Sequence, residues 1–474
     1  YAEEITFEVG RDGKVQTVTM KDAPSQLTVS KKDLADLAED LPGATFEVQD
    51  ENGDVVRTVY NETLRWTTTE DALVKTITGL KDGSYKLVET KAPTGYTIAA
   101  PISFTVEKGK IYRSVDGEQA EIDTIAMEDQ ATEVIISKTD ITTGKELPGA
   151  TLQILKKVKA ATDDGEEVEK EETVITIYGE KLEWKSTGEP KNIKGLPAGE
   201  YILRESAAPD GYTVAADVTF TVTDELKAVE TVEMQDAPIE TVISKVDMAD
   251  TAKELPGATL QILKKVTAED GTTSEEIAVT VYGEKLQWIS GEEAKEIKGL
   301  PAGDYILREI AAPTGYTIAK DVEFTVSNDR KVTNKAVMED QATEVKISKV
   351  DITDAEKELP GATLQVMDKY GNEIVKTVYG EELKWVSGNE AKVIKGLPAG
   401  EYTLRETIAP AGYSIAKDVK FTITDELKAA ETVVMENAPI EVNISKTDIT
   451  TEKELPGATL QVLKKVTGED EAET

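Results

Sequence analysis

The sequence predicts an all-β protein, a tandem array of antiparallel β-sandwich domains. Three observations carry that expectation. Segments recur along the chain every ~100 residues, long enough for each repeat to be a self-sufficient domain rather than one turn of a solenoid. Within a repeat, short runs of alternating apolar and polar residues are punctuated by the turn sequences LPGA, KGLPAG, AAPDGY and TDEL. No stretch keeps the apolar period of an amphipathic helix.

The repeats are explicit. ELPGATLQILKK at 146–157 returns at 254–265, with ELPGATLQV at 358–366 and 454–462 and DLPGATFEV at 40–48. IKGLPAGEYILRESAAPDGY at 193–212 returns with small changes at 297–316 and 394–413, and more loosely at 77–96. Between these landmarks lies a Tyr-then-Trp segment: Tyr60/Trp66, Tyr178/Trp184, Tyr282/Trp288 and Tyr379/Trp385. It holds all four tryptophans of the chain, and aromatics this sparse are expected to anchor cores rather than to form a stacking platform. The expected division is the tail of a preceding repeat (1–24), four full repeats (25–131, 132–238, 239–342 and 343–439) and the start of another (440–474). The chain thus reads as a window on a longer array. The acidic segment 161–173 reads as a solvated hairpin, because it lacks the spacing of a calcium loop.

Composition excludes several function classes. With 54 Lys and Arg against 91 Asp and Glu, the net charge of −37 leaves no electrostatic footprint for nucleic acid or an anionic membrane. Cysteine and histidine are absent, which removes Cys/His zinc sites, thiol nucleophiles and histidine-based triads. No apolar run approaches the ~18 residues of a membrane span. No metal and no cofactor is called for.

Three polar residues per repeat break the binary pattern. In EVIISKTD (133–140), period two puts Val134, Ile136 and Lys138 on one face. Leu27/Val29/Lys31, Val345/Ile347/Lys349 and Val442/Ile444/Lys446 follow the same rule, and Thr241/Ile243/Lys245 nearly does. In EYILRE, Tyr201, Leu203 and Glu205 share a face, and the same parity turns Glu89, Glu309 and Glu406 inward. Near each repeat's end, Met127/Asp129, Met234/Asp236, Met338/Asp340 and Met435/Asn437 share a face, as do Met20/Asp22 in the leading tail. Burying three ionisable groups separately is prohibitive, so the economical expectation is that the three meet.

An unreacted buried salt bridge is one outcome, but a weak stabilising device, because desolvation often exceeds the Coulombic gain. Burial also lowers a lysine's pKa and raises those of carboxylic acids. A neutral amine is a nucleophile, and a protonated glutamic acid can polarise a carbonyl and move protons. At near-attack distance the amine can add to the Asp or Asn side-chain carbonyl, and loss of water or ammonia leaves an amide.

The motifs ISKTD, ELPGATLQ, YILRESAAPDGY and MQDAP, which together cover nearly the whole chain, resemble the Cna B-type (prealbumin-like, reverse Ig-like) repeat domains of Gram-positive collagen adhesins and SpaA-like pilins. The resemblance implies self-generated Lys–Asn or Lys–Asp isopeptide bonds. Lys31, Lys138, Lys245, Lys349 and Lys446 would be the nucleophiles, and Glu89, Glu205, Glu309 and Glu406 the catalytic acids. Asp22, Asp129, Asp236, Asp340 and Asn437 would be the acceptors, with Asp22 and Lys446 completing bonds outside these residues. Two departures stand out. Three full repeats carry Asp where Asn is commoner, and the first has KLVETKAPTGY plus an insertion before its acceptor.

A bond from Lys138 to Asp236 would enclose nearly a whole repeat, and only 237–244 separate that acceptor from the next lysine. A pull along the chain would cross each bond and bypass the sandwich, and joints this short make the array a semi-rigid rod. The expected function is a structural stalk of a secreted, cell-wall-anchored bacterial surface adhesin, not an enzyme beyond its own single-turnover cross-linking. Its partners in the chain are further repeats, with peptidoglycan anchoring and a host ligand outside this segment. The alternatives are a sortase-assembled pilus shaft and repeats that themselves bind host matrix. Against the former, neither a YPK-like pilin lysine nor an LPXTG signal occurs in these residues.

Overall fold

The structure is a computed structural model that describes residues 4–115, 117–161, 167–268 and 270–464. Among them every helix or strand assigned is a strand. Four large apolar cores form along the chain, centred on Leu27–Met127, Val134–Met234, Ile239–Met338 and Val345–Met435, with a smaller cluster of Leu41, Ala92 and Tyr96 in the first unit.

The second unit shows the plan. Its strands are β1 (Glu133–Asp140), β2 (Thr151–Ala161), β3 (Glu167–Thr173), β4 (Glu183–Lys185), β5 (Lys191–Lys194), β6 (Gly199–Ala207), β7 (Val218–Val222) and β8 (Glu230–Asp236). One sheet has the order β5-β1-β8 and the other β3-β2-β6-β7, with β4 also paired to β2. The sheets are largely antiparallel, but β1 and β8 run parallel, from Val134 opposite Glu230 to Asp140 opposite Asp236. The first and last strands of the other three units pair in the same way. The reason is topological: the chain enters each sandwich at one end and leaves at the other, so its terminal strands point the same way.

Alternation fixes which residues face the core. In β6, Tyr201, Leu203 and Glu205 are buried while Ser206 and Ala207 are both exposed. The parity breaks there because the register with β2 shifts between Thr151 and Leu152, a β-bulge that all four units share. It follows the glutamate directly and ends the run of inward positions at it. The tryptophans lie half-buried against the cores, each opposite a large apolar residue: Phe46, Leu152, Leu260 or Leu364. Leu155–Ala161 and Glu167–Thr173 pair antiparallel, so the acidic segment 161–173 supplies one strand of that pair, and 162–166 lie outside the described residues. The insertion in the first unit is a hairpin, Lys110–Val115 with Glu118–Ile122, that extends one sheet to six strands.

Leu203 has no exposed surface. Leu203→Ala is expected to destabilise the second unit by about 2–5 kcal/mol. Urea denaturation should show one of four unfolding steps shifting, with the others unchanged.

Candidate functional site

Each unit brings one lysine, one glutamate and one aspartate or asparagine together between its sheets. Lys138 follows Val134 and Ile136 on the inner face of β1, and all three are buried. Its Nζ contacts Asp236 Oδ1 on the parallel neighbour β8 and lies 3.1 Å from Glu205 Oε1 on the facing sheet. The side chains of these three are at most 2% exposed. Lys31 meets Asp129 and lies 3.0 Å from Glu89; Lys245 meets Asp340 and lies 3.0 Å from Glu309. Lys349 meets Asn437 Oδ1 and lies 3.6 Å from Glu406. The structure thus brings together, in four groups of three, the twelve residues singled out in the four full repeats. Asp22 and Lys446 do not join them: both are exposed, outside the four sandwiches.

Backbone donors fix the glutamates. Oε2 of Glu89, Glu205, Glu309 and Glu406 accepts the N–H of Ala99, Ala215, Ala319 and Ala416 at 2.8, 2.6, 2.7 and 2.6 Å. This leaves Oε1 for the lysine. In the fourth unit Asn437 Nδ2 donates to both oxygens of Glu406 at 3.1 Å, so amide and carboxylate are matched donor to acceptor. In the other three units a carboxyl replaces that amide: Oε1 of Glu89, Glu205 and Glu309 faces the lysine Nζ at 3.0, 3.1 and 3.0 Å, whereas Asp129 Oδ2, Asp236 Oδ2 and Asp340 Oδ2 find no hydrogen-bond partner among the described residues. Two facing carboxylates cannot both stay ionised in a dry site; a shared proton satisfies both.

The electrostatics agree. Burial, reinforced by the neighbouring glutamate and opposed by the lysine, pushes the Asp129 carboxyl up to about 8 and those of Asp236 and Asp340 up to about 7. Burial pushes the Lys349 ammonium down, against the pull of Glu406. The arrangement therefore favours the protonated form of the three aspartates and works against the charge of Lys349. These are the states that amine attack on a side-chain carbonyl requires.

A second set of carboxylates positions the lysine backbone. Glu146, Glu254 and Glu358 accept the N–H of Lys138, Lys245 and Lys349 at 3.2, 2.8 and 2.8 Å. Glu146 and Glu358 also take the hydroxyls of Ser137 and Ser348, each at 2.5 Å. The signal for them was present in the recurrent glutamate of ELPGA, which reads as an ordinary turn-flanking charge until the fold folds it back on β1. In the first unit the position is Asp40, which instead pairs with Lys32 at 2.9 Å.

Among the described residues no group of three or more His, Cys, Asp or Glu could hold a metal, and no helix is long and apolar enough to cross a membrane. The SpaA prealbumin-like fold domain matches residues 25–120, 132–238, 240–342 and 343–439. The chain belongs to this family, as a tandem array of its domains. Among solved structures it is similar to the Bacillus anthracis TIE protein, at 20% identity over 84% of this chain and 70% of that one, with a TM-score of 0.34. It is similar also to BcpA, the major pilin subunit of Bacillus cereus, at 16% identity over 65% and 99%, with a TM-score of 0.28. The shaft pilin SpaA from Lactobacillus rhamnosus GG matches at 18% identity over 45% and 98%, with a TM-score of 0.20. No curated protein matches the chain.

Removing the lysine leaves the buried Asp236 carboxyl without its Nζ partner. In Lys138→Met, Asp236 remains buried, with a folded pKa above its ordinary 3.8. An acid whose pKa is raised on folding contributes its full stability below the unfolded pKa and loses it as pH rises through the folded one. The second unit of this variant is therefore expected to weaken steadily from about pH 4 to beyond pH 7. Denaturant titration at several pH values checks the slope, which is opposite to that of an ordinary salt-bridged aspartate.

Proposed function

We propose that the chain is a load-bearing stalk segment of a Gram-positive bacterial surface protein, each unit locked by an autocatalytic isopeptide bond between its first and last strands. The observation that carries this reading is the placement of each lysine and acceptor on adjacent parallel strands, next to a glutamate held by a backbone N–H. In the proposed step Lys138 Nζ, reacting as the free amine, attacks the γ-carbon of the protonated Asp236 carboxyl. Glu205 takes a proton from the nitrogen and delivers it to the departing oxygen, so one C–N bond forms, one C–O bond breaks and water leaves. At Asn437 a C–N bond breaks instead, and ammonia leaves.

Force gives the bond its purpose. Tension enters a unit at the start of β1 and leaves at the end of β8, pulling two parallel strands in opposite directions. Their hydrogen bonds are loaded together in shear, and a covalent link at their far end stops the slide. By the loop-entropy account of a cross-link closing ~100 residues, each bond adds roughly 4–5 kcal/mol. An uncross-linked domain has about 5–15 kcal/mol in total. The stalk of a single-chain adhesin and the shaft of a pilus would use these units alike. Extraction from the native cell wall distinguishes them, since only a pilus gives a ladder of covalent multimers.

Intact mass is the direct test. The expected mass is below that of the plain sequence by three waters, for Lys31–Asp129, Lys138–Asp236 and Lys245–Asp340, and one ammonia, for Lys349–Asn437. An undiminished mass rejects the bond. Glu205→Ala is expected to restore one water, and Asn437→Asp to exchange the ammonia for a fourth water.

A further inference from the structure

Successive units touch through a repeated three-residue contact that the cross-link does not use. Two residues beyond each reactive lysine, at the end of the first strand, stands an aspartate: Asp33, Asp140, Asp247 and Asp351. Asp140 Oδ2 accepts a hydroxyl from Tyr212 of its own unit at 3.1 Å and another from Tyr282 of the next unit at 3.2 Å. Asp247 Oδ2 takes Tyr316 at 2.8 Å and, from the next unit, Tyr379 at 3.0 Å. Asp33 Oδ2 takes Tyr96 at 2.9 Å and Tyr178 of the second unit at 3.5 Å. Two tyrosines from neighbouring units thus share one oxygen at all three joints.

We propose that this aspartate is a latch, a carboxylate shared across the joint that fixes the orientation of each unit on the one before it. The surface it belongs to, at the exit end of a unit, is specific for the Tyr-bearing loop of another repeat of the same kind. The carboxylate is suited to the task. Burial works against its charge, but Thr142, Thr143, Tyr212 and Tyr282 together hold Asp140 below the usual carboxylate range, so it remains an ionised acceptor.

The molecule contains its own comparison. Where a following unit is docked, Asp33, Asp140 and Asp247 are 3%, 3% and 6% exposed and Tyr96, Tyr212 and Tyr316 are each 6% exposed. In the fourth unit Tyr413 still donates to Asp351 Oδ2, at 2.6 Å, yet both residues are only half-buried. The pair therefore exists before the neighbour arrives, and the neighbour's loop is what desolvates it.

Backbone and shape complementarity complete the surface. The hinge residue Ile239 donates its N–H to Gly211 O of the second unit and accepts from Gly299 N–H of the third, both at 2.8 Å. Thr132 and Thr343 bridge their joints in the same way at 2.9 Å. Gly211 has φ +79°, and a Cβ on it would lie 2.5 Å from Val281 Cγ1, so the tyrosine loop seats directly on the glycine. Ile177 seats on Gly95 and Val378 on Gly315 equivalently.

The full chain contains no cysteine, so two introduced cysteines are unique spin-label sites. Thr219→Cys and Glu323→Cys occupy equivalent exposed strand positions in the second and third units. Pulsed electron–electron distance measurement between them is expected to give a single narrow distribution. Tyr282→Phe, which removes only the hydroxyl, and Asp140→Asn are each expected to broaden it at least twofold while the melting of both units is retained. Val281→Ser, which removes the seat on Gly211 but keeps the hydroxyl, is expected to broaden it as well. A broad distribution in the parent chain, or an unchanged width in both Tyr282→Phe and Asp140→Asn, overturns the latch. The outcome does not depend on whether the lysine bonds have formed, because intact mass reports those separately.

Discussion

An ammonium taken out of water between two β-sheets must be paired, neutralised or consumed. In each of the four units that constraint gathers a lysine, a glutamate and an Asp or Asn from three distant parts of the sequence. The bulge after the glutamate, the backbone N–H that pins its outer oxygen and, in three of the units, a second glutamate that holds the lysine backbone all converge on one contact. A salt bridge alone is a poor explanation for so much supporting structure, since a well-packed apolar substitute would be at least as stable. The unpartnered Oδ2 of each buried aspartate makes the same point, because a proton shared with the facing glutamate satisfies it.

The direction of the strands is what suits the contact to the proposed mechanical role. Had the first and last strands been antiparallel neighbours, the chain would enter and leave at the same end, and a pull would peel their hydrogen bonds one by one. Parallel pairing puts entry and exit at opposite ends. The same geometry places Asp140, two residues past Lys138, at the exit face where the next unit docks. In the two proposals together, one strand would carry axial load through its lysine and bending load through its aspartate.

Much of the site was legible because β-structure has a period of two, and period two assigns every residue a side. A lysine in phase with Val134 and Ile136, or a glutamate in phase with Tyr201 and Leu203, is visible as an anomaly without any coordinates. The tyrosines of the Tyr–Trp segment were not legible in this way. Their tryptophan companions pack on the cores as expected, whereas Tyr178, Tyr282 and Tyr379 stay partly exposed and turn to the neighbouring unit. Nothing local separates a core aromatic from a joint aromatic in a repeat, because both recur with the same spacing. The aspartate after each lysine was hidden for a related reason: it sits at a strand end, where an acidic residue is unremarkable.

The sequence by itself determined the all-β class, the repeating unit and which polar side chains point inward, because these follow from local alternation and self-similarity. Only the tertiary structure decided that the terminal strands run parallel, that Glu146 folds back onto the Lys138 backbone, and that tyrosines of two units converge on one carboxylate. Those features depend on which distant segments become neighbours, and strand alternation records the face a residue takes but not the partner it meets there.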